Sequence, residues 1–312
     1  MIDLSNKTEL TSYLKEKGLW AKHGLGQNFL VDRDALDKII DTAFDTPHPT
    51  SPHEGEESLI IEVGPGVGTM TEELVKHAKK VIAVELDEKL KQLLNGYIAE
   101  LLKNNNITIE QYNNFELINA DVLKVNIPEL VGDQKYKVVA NIPYYITSKI
   151  LQLFLTLENK PESITLLVQK EVAERICAKP GEMSVLAVSV QVYGEPRIAG
   201  IVKKESFFPS PKVDSAILHI AISNFQFPIF NQFLNYNFQT KEAFEKAFFR
   251  LVHIGFAARR KTLANNLSNG YHIDKKTAED IIRSMGFSVS IRAQELSVDD
   301  WKKLAKVVLG IT

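Results

Sequence analysis

The stretch of sequence that decides the fold is residues 59–87, LIIEVGPGVGTMTEELVKHAKKVIAVELD. Its first five residues are mostly apolar and β-branched, which predicts a buried strand. Three glycines follow at alternate positions, Gly64, Gly66 and Gly68. Because glycine has no Cβ, such a turn lets the backbone approach a bulky ligand closely. A helix is expected to begin next, with Thr69 or Thr71 as its cap.

The second half of the stretch predicts another strand, Val81–Val84, which ends on Glu85. Strand, glycine turn, helix, strand and acid form a βαβ unit that holds a nucleoside, with Glu85 near the ribose hydroxyls. A dinucleotide site would have its third glycine at position 69, where this chain has Thr69. The observed spacing, preceded by Glu62, instead resembles the first motif of class I methyltransferases, which bind S-adenosylmethionine (SAM). An NAD site and a glycine turn without a ligand are the alternatives.

Strands that end in polar residues alternate with helices along the first two thirds of the chain, which is the pattern of a doubly wound sheet. Further strands are predicted to end at Asp121 and Asn141. Ligands of such sheets bind outside the carboxyl ends of the strands, so Gly64, Glu85, Asp121 and Asn141 are expected to line one crevice. The predicted fold is therefore α/β, a Rossmann-like sheet of the class I SAM-dependent methyltransferase type.

The composition restricts the cellular compartment that the protein fits and the classes of protein to which it can belong. The only cysteine, Cys177, excludes an intrachain disulfide and fits a reducing compartment. The N-terminus lacks the apolar core of a signal peptide, and no apolar run is long enough to span a membrane. The net charge of −2 does not indicate nucleic-acid binding by the whole chain, so charge has to be judged locally.

A length of 312 residues allows two domains. Residues 1–224 are predicted to form the catalytic domain, and 225–312 a smaller, all-helical domain that begins with a polar, aromatic linker at 225–239. The catalytic domain carries an acidic insertion at 45–57. The histidines of this insertion, His48 and His53, are interpreted as bystanders, and no metal site is expected.

Basic residues are concentrated in the predicted helical domain. Between 241 and 276, eight Lys or Arg residues stand against three acids. The run Arg259-Arg260-Lys261 follows a predicted helix. It is equally compatible with a solvated charged face and with a patch that contacts RNA phosphates.

The run Asn141-Ile142-Pro143-Tyr144 indicates the class of reaction. The exocyclic amine of adenine is a poor nucleophile, because its lone pair is delocalised into the ring. Two acceptors can orient this amine toward a methyl sulfonium: the side-chain oxygen of Asn141 and the carbonyl that precedes Pro143. Tyr144 can stack on a base that has been turned out of a helix. An ordinary proline turn after a strand is the alternative.

Two further segments have open interpretations. Phe207 and Phe208 can supply a second aromatic face for the base, and packing in the core is equally compatible with either one. The loop Gly26-Gln27-Asn28-Phe29-Leu30 is either a glycine turn that leads into a helix or a lid over the ligand. The residues alone do not decide between these.

Taken together, these motifs resemble the ribosomal RNA adenine dimethyltransferase family, specifically its small-subunit (16S) type. The resemblance extends over most of the chain, at residues 26–30, 62–66, 85, 120–121, 141–144, 207–215, 259–263 and 292–297. It implies SAM as cofactor and the transfer of two methyl groups to each of two adjacent adenines. These adenines would lie in a hairpin near the 3′ end of small-subunit RNA, and the enzyme would act during ribosome maturation in the cytoplasm.

The resemblance also implies the site residues, with 26–30 as a lid over the cofactor. The cofactor would be held by Asn28, Leu30, Gly64, Gly66, Glu85, Leu86, Asp121, Val122 and Asn141. The target adenine would meet Asn141, Pro143, Tyr144 and Phe207. RNA would be bound by Arg259, Arg260 and Lys261. The implied partner is the immature small subunit, and the protein is expected to be a monomer.

Three other functions remain as alternatives. The antibiotic-resistance branch of the family dimethylates an adenine of large-subunit RNA, but the segment 209–215 and the long helical C-terminal region favour the small-subunit branch. A ribosome-assembly factor with incidental methylation would still support assembly when its catalysis is abolished. A DNA adenine methyltransferase shares the Asn-x-Pro-Tyr run and would act on duplex DNA.

Overall fold

The computed structural model describes residues 2–20, 26–44, 58–104, 114–223 and 240–309, except for the side chains of 102–104 and 241. The predicted insertion 45–57 and linker 225–239 lie outside the described residues. The chain divides into two compact units. The first unit comprises Met1–Ala173 with Arg197–Ile222, and the second comprises Glu174–Pro196 with Ser223–Thr312.

Strands and helices largely alternate through residues 7–222. The chain begins with α1 (Lys7–Glu16), β1 (Phe29–Leu30), α2 (Arg33–Phe44), β2 (Leu59–Val63), α3 (Thr69–His77), β3 (Lys80–Glu85) and α4 (Glu88–Asn104). It continues with β4 (Phe115–Asn119), α5 (Ile127–Val131), β5 (Tyr136–Asn141), α6 (Thr147–Thr156) and β6 (Ser163–Gln169). Next come α7 (Lys170–Ile176), α8 (Val185–Gln191), β7 (Gly194–Val202), β8 (Phe207–Phe208) and β9 (Ser215–Ile222).

A seven-stranded sheet with the order β4-β3-β2-β5-β6-β9-β7 forms the centre of the first unit. The first five strands in this order, β4, β3, β2, β5 and β6, run parallel to one another. Strand β9 pairs antiparallel to β6. All five residues of β2 are buried, as expected for a parallel strand covered on both faces. The structure confirms the predicted α/β fold with a doubly wound, mostly parallel sheet.

The start of α3 differs from the prediction. Its N-cap is Gly68, which has a φ of 99° and makes no side-chain capping bond. Thr71 instead donates its hydroxyl to the buried Oε2 of Glu62 at 2.7 Å. The prediction that Thr69 or Thr71 caps the helix was therefore wrong. The physical reason is that the hydroxyl of Thr71 serves a buried carboxyl of the preceding strand.

The described residues of the second unit are mostly helical, although residues 194–196 belong to the start of β7. The C-terminal part of this unit contains α9 (Lys241–Gly255), α10 (Leu263–Tyr271), α11 (Lys275–Ser284) and α12 (Val298–Val308). Side-chain oxygens cap all four helices, from Thr240, Thr262, Asp274 and Ser297. Its core includes the fully buried Phe244, Phe248 and Trp301.

Residues 174–196 belong to this second unit, whereas the predicted catalytic domain, 1–224, included them. The backbone N–H groups of Gly181 and Met183 both donate to the carbonyl of Gln294. The ring of Tyr193 also lies 6.2 Å from that of Phe249. These contacts join segments that are distant in sequence. As functional domains, the ranges 1–224 and 225–312 stay a prediction. No helix in the described part of the chain has the length and apolar character needed to cross a membrane.

Candidate active site

Four strand ends of the first unit open onto one cavity. The cavity encloses about 1040 Å³ of empty space, open solvent at its mouth included. Gly64 follows β2, Glu85 ends β3, Asp121 follows β4 and Asn141 ends β5, and all four line the cavity. The structure therefore brings together the strand-end residues that the sequence predicted to converge.

The glycine turn presents bare backbone to this cavity. Gly64 and Gly66 have φ values of 67° and 61°, in the left-handed region that side chains disfavour. A Cβ added to Gly66 would lie 3.2 Å from the ring of Phe29, so the lid loop packs directly on the turn. A ligand in the cavity therefore meets peptide groups at this position.

Glu85 is held in one orientation by two backbone groups. Its Oε2 accepts the N–H of Gly66 at 3.0 Å, and its Oε1 accepts the N–H of Asp87 at 2.8 Å. The side chain is 6% exposed. Burial raises the pKa of this carboxyl, while the two N–H groups act in the opposite direction. Each oxygen keeps lone pairs that can accept from a diol, which suits the two hydroxyls of a ribose.

The lining that follows β3 and β4 combines apolar side chains with an acid. Leu86 and Val122 are among the apolar residues of the lining, which suit a flat ring. Asp121 accepts the N–H of Leu123 at 3.1 Å and caps the 3₁₀ turn Val122–Lys124. Asn119 was not predicted as a site residue. Its Nδ2 donates to the carbonyls of Glu85 and Leu86, which holds this part of the wall in place.

The loop 26–30 lines the cavity and contacts the glycine turn through Phe29. Its last two residues form β1 and pair antiparallel with β8, Phe29 opposite Phe208 and Leu30 opposite Phe207. The Nδ2 of Asn141 donates to the carbonyl of Asn28 at 3.1 Å. The hydrogen bond from Gln27 Nε2 to Asp87 Oδ2 at 3.4 Å was not predicted from the sequence, although a polar side chain within the lid was a signal for it.

The run Asn141-Ile142-Pro143-Tyr144 also lines the cavity. Because the amide nitrogen of Asn141 is bound to Asn28, its Oδ1 keeps its lone pairs for a ligand. The hydroxyl of Tyr144 lies 2.7 Å from Ser215 Oγ. Burial raises the pKa of Tyr144, so its hydroxyl stays protonated near neutral pH.

Phe207 was expected to meet the target base, but the structure gives it a different place. It is 1% exposed, belongs to the hydrophobic core and is absent from the lining of the cavity. Phe208 is half-buried and packs against the same core. Pairing of β8 with β1 draws both rings into this packing, which is the alternative that the sequence left open.

The predicted RNA-binding residues lie in the second unit, in the turn between α9 and α10. Arg259, Arg260 and Lys261 are all exposed, and none of them makes an ion pair with another described residue. Arg259 and Lys261 also line a cavity of about 610 Å³, mouth included, together with Arg175 and one acid, Glu182. The patch therefore presents free cations, as phosphate binding requires.

The fold and the cavity define a class I SAM-dependent methyltransferase, in which SAM is the cofactor. The solved structure of a dimethyladenosine transferase from Plasmodium falciparum has a similar fold. It aligns with a TM-score of 0.66 and 24% identity, over 88% of this chain and 95% of that chain. The solved structure of the 23S rRNA methyltransferase ErmE aligns with a TM-score of 0.64 and 25% identity, over 89% and 98% of the two chains.

Sequence comparison narrows the class to a family. Residues 19–308 match the ribosomal RNA adenine dimethylase family, and the chain belongs to it. A relative from Dehalococcoides mccartyi (strain CBDB1), named ribosomal RNA small subunit methyltransferase A, is 42% identical over 293 residues. This alignment covers 94% of this chain and 90% of the relative.

Proposed function

We propose that the protein dimethylates N6 of two adjacent adenines in a 3′-terminal hairpin of small-subunit ribosomal RNA. It would act as a monomer on the immature small subunit, in the cytoplasm, during subunit maturation. The observation that carries this proposal is Asn141 in the lining of the cavity, with its nitrogen bound to the lid and its oxygen left as an acceptor. Identity of 42%, over 94% of the chain, to a relative named ribosomal RNA small subunit methyltransferase A supports the choice of RNA.

The residues of this chain fit the cofactor. Glu85 would accept the ribose hydroxyls, the glycine backbone would lie against the amino-acid part, and Asp121 would bind the exocyclic amine of its adenine. The other proposed contacts come from Asn28, Leu30, Leu86, Val122 and Asn141, all of which line the cavity. When bound, SAM supplies an electrophilic methyl group on a sulfonium.

The proposed catalytic role of the protein's own residues is to position the target amine. Asn141 Oδ1 and the carbonyl of Ile142 would accept its two N–H groups, which turns the nitrogen lone pair toward the methyl group. Tyr144 would stack on the base, with its hydroxyl anchored by Ser215. Since the methylated amine becomes acidic only after transfer, its proton can leave to water and no strong base is needed. Alignment and proximity then supply most of the rate acceleration.

The exposed cations Arg259, Arg260 and Lys261 are proposed to contact RNA phosphates. None of the three is ion-paired with another described residue, which supports this assignment. A cation that a neighbouring acid already neutralises would neutralise less phosphate charge and release fewer of the counterions bound to the RNA. The net charge of the whole chain, −2, leaves such local patches as the source of attraction.

One assay tests the function and its alternatives. Labelled SAM is offered with immature small subunits, mature large subunits and duplex DNA, and the modified base is mapped by mass spectrometry. Dimethyladenine at two neighbouring positions near the 3′ end of small-subunit RNA is the expected product. Label confined to large-subunit RNA or to DNA would overturn the proposal. An Asn141→Ala enzyme that transfers no methyl but fully supports subunit assembly would favour the assembly-factor alternative.

A further inference from the structure

One exposed aromatic side chain at the mouth of the cavity has no role in the chemistry described above. Large exposed hydrophobic side chains of the described residues are Trp20, Leu86, Tyr145, Ile201, Val213 and Val307. Of these, Leu86 and Tyr145 line the cavity, and Leu86 is proposed to contact the cofactor. Tyr145 is 66% exposed, which leaves most of a large apolar ring in water beside the site.

The ring of Tyr145 is supported on one side by backbone. It belongs to the 3₁₀ turn Tyr144–Ile146, which the bond from the N–H of Ile146 to the carbonyl of Pro143 closes at 3.1 Å. A Cβ added to Gly26 would lie 3.1 Å from Pro143 Cβ and 3.5 Å from Tyr145 Cε1. The lid backbone at Gly26 therefore passes directly beside the ring. An aromatic side chain held in this way loses less freedom on binding than an unsupported one.

The position of this ring fits a particular ligand. Tyr144 and Tyr145 are neighbours in the chain, one half-buried in the cavity and the other exposed at its mouth. A base that enters the cavity remains joined to the next nucleotide, which must stay outside. Unpaired bases stack on exposed aromatic side chains in single-stranded RNA recognition.

We infer that Tyr145 is a substrate-binding residue that stacks on the base next to the target adenine. This inference rests on the proposed function, in which the neighbour is the second adenine to be methylated. Tyr145 would hold one adenine at the mouth of the cavity while the other reacts. Tyr145 thereby favours RNA in which the nucleotide beside the target is a purine that stacks well.

The test compares two RNA substrates that each contain one target adenine. In small subunits assembled from transcribed RNA, the second adenine is replaced by guanine, which stacks strongly, or by uracil, which stacks weakly. The wild-type enzyme is expected to prefer the guanine substrate by about tenfold in kcat/KM, within the range of one base-aromatic stack. Tyr145→Ala should lose most of this preference and Tyr145→Phe should keep it. SAM affinity, measured by calorimetry, should stay within about twofold in both variants.

The control is Trp20→Ala, which removes another exposed aromatic side chain, one that does not line the cavity. It should keep the tenfold preference. A Tyr145→Ala enzyme that still discriminates guanine from uracil as the wild type does would overturn the inference. A loss of SAM affinity with unchanged discrimination would also overturn it, since Tyr145 would then only support the lid. Absence of methylation on unsubstituted small-subunit RNA would instead refute the proposed function itself.

Discussion

At the scale of single residues, Asn141 divides its two polar atoms between the protein and the substrate. Its nitrogen donates to the carbonyl of Asn28, so the orientation of the amide is set before any substrate enters. An oriented acceptor need not reorganise during the reaction, which is the main source of electrostatic catalysis.

Replacement of Asn141 should separate chemistry from binding. Asn141→Ala is expected to lower methyl transfer by about 100-fold or more, because one of two acceptors for the target amine is removed. The second methylation should suffer at least as much, since a monomethylated amine has only one N–H left. Mass spectrometry of digested RNA scores unmodified, monomethyl and dimethyl adenine, with the exposed Asn126→Ala as control. Near-normal dimethylation by Asn141→Ala would remove the proposed mechanism.

The hydrogen bond between Tyr144 and Ser215 offers a matched pair of variants. Tyr144→Phe and Ser215→Ala each remove this bond and keep the ring, so both should lose about twofold to tenfold in rate. Tyr144→Ala removes the stacking surface and should lose clearly more. Rates are measured at saturating SAM. If Tyr144→Ala were as active as Tyr144→Phe, stacking by this residue would be excluded.

The buried carboxyl of Glu62 is expected to make the stability of the folded protein depend on pH. Burial raises its pKa to about 8 from an ordinary value of 4.5, Thr71 acts against this shift, and the charge of Glu85 adds to it. Its Oε1 has no hydrogen-bond partner among the described residues. The folded state therefore retains a proton that the unfolded chain releases above about pH 4.5. The stabilisation from this proton is complete below that pH and is lost as the pH rises toward 8.

Glu62→Gln should remove this pH dependence, because the amide cannot ionise. Urea unfolding at pH 5, 6.5 and 8 is expected to show the variant gaining stability relative to the wild type as the pH rises. The matched control is Glu205→Gln, which changes an exposed carboxylate and should leave the wild-type pH profile in place. Parallel profiles for Glu62→Gln and the wild type would mean that Glu62 is ionised in the folded protein.

At the scale of elements, patterns in the sequence were sufficient for the strands and for the crevice. Apolar runs that end in Gly64, Glu85 and Asn141 predicted where β2, β3 and β5 stop, because period and polarity are local properties. The capping of α3 was not predictable in the same way. Thr71 bonds to Glu62, a partner on another element, and nothing in its immediate sequence indicates this choice.

Two further elements illustrate the same limit. Val185–Gln191 is rich in β-branched residues, a composition more typical of a strand, but it forms a helix that Ser184 caps. Phe207 and Phe208 have the composition of a base-binding pair. They pack in the core because β8 pairs with β1, a segment more than 170 positions away. Pairing between distant segments decides such cases, and a single sequence does not contain that information directly.

The turn between α9 and α10 carries a prediction about RNA binding. Replacing Arg259, Arg260 and Lys261 by glutamine should weaken RNA binding and reduce the slope of log K against log salt. The expected reduction is about 0.7–0.9 for each phosphate that the variant no longer neutralises. SAM affinity should be unchanged. Filter binding from 50 to 300 mM salt, roughly the range over which counterion release dominates, measures the slope.

The second unit also contains a charge-matched control. Lys246, Lys275 and Arg283 are each ion-paired to an acid on their own helix. Their replacement by glutamine removes the same formal charge but should change the slope much less. Equal effects of the two triple variants would mean that overall charge, and no particular patch, attracts the RNA.

At the scale of the whole molecule, neither of the two units is one continuous segment of the chain. The first unit is interrupted after Ala173 and resumes at Arg197, so it is completed only at Ile222. Composition gave no indication of this, because 170–202 has the same mixture of apolar and charged residues as its surroundings. The units become recognisable only from contacts.

The late position of β9 has a consequence for the protein during its own synthesis. All seven residues of β6 pair with β9, and six of the seven are buried in the finished sheet. Until residues 215–222 leave the ribosome, the nascent chain carries β6 as an open, apolar edge strand, a ready template for pairing with other chains. A chain truncated after residue 210 is therefore expected to aggregate on release, and one truncated after 223 to aggregate far less. Sedimentation of the two translation products would measure this, and equal solubility would show that the edge is protected in some other way.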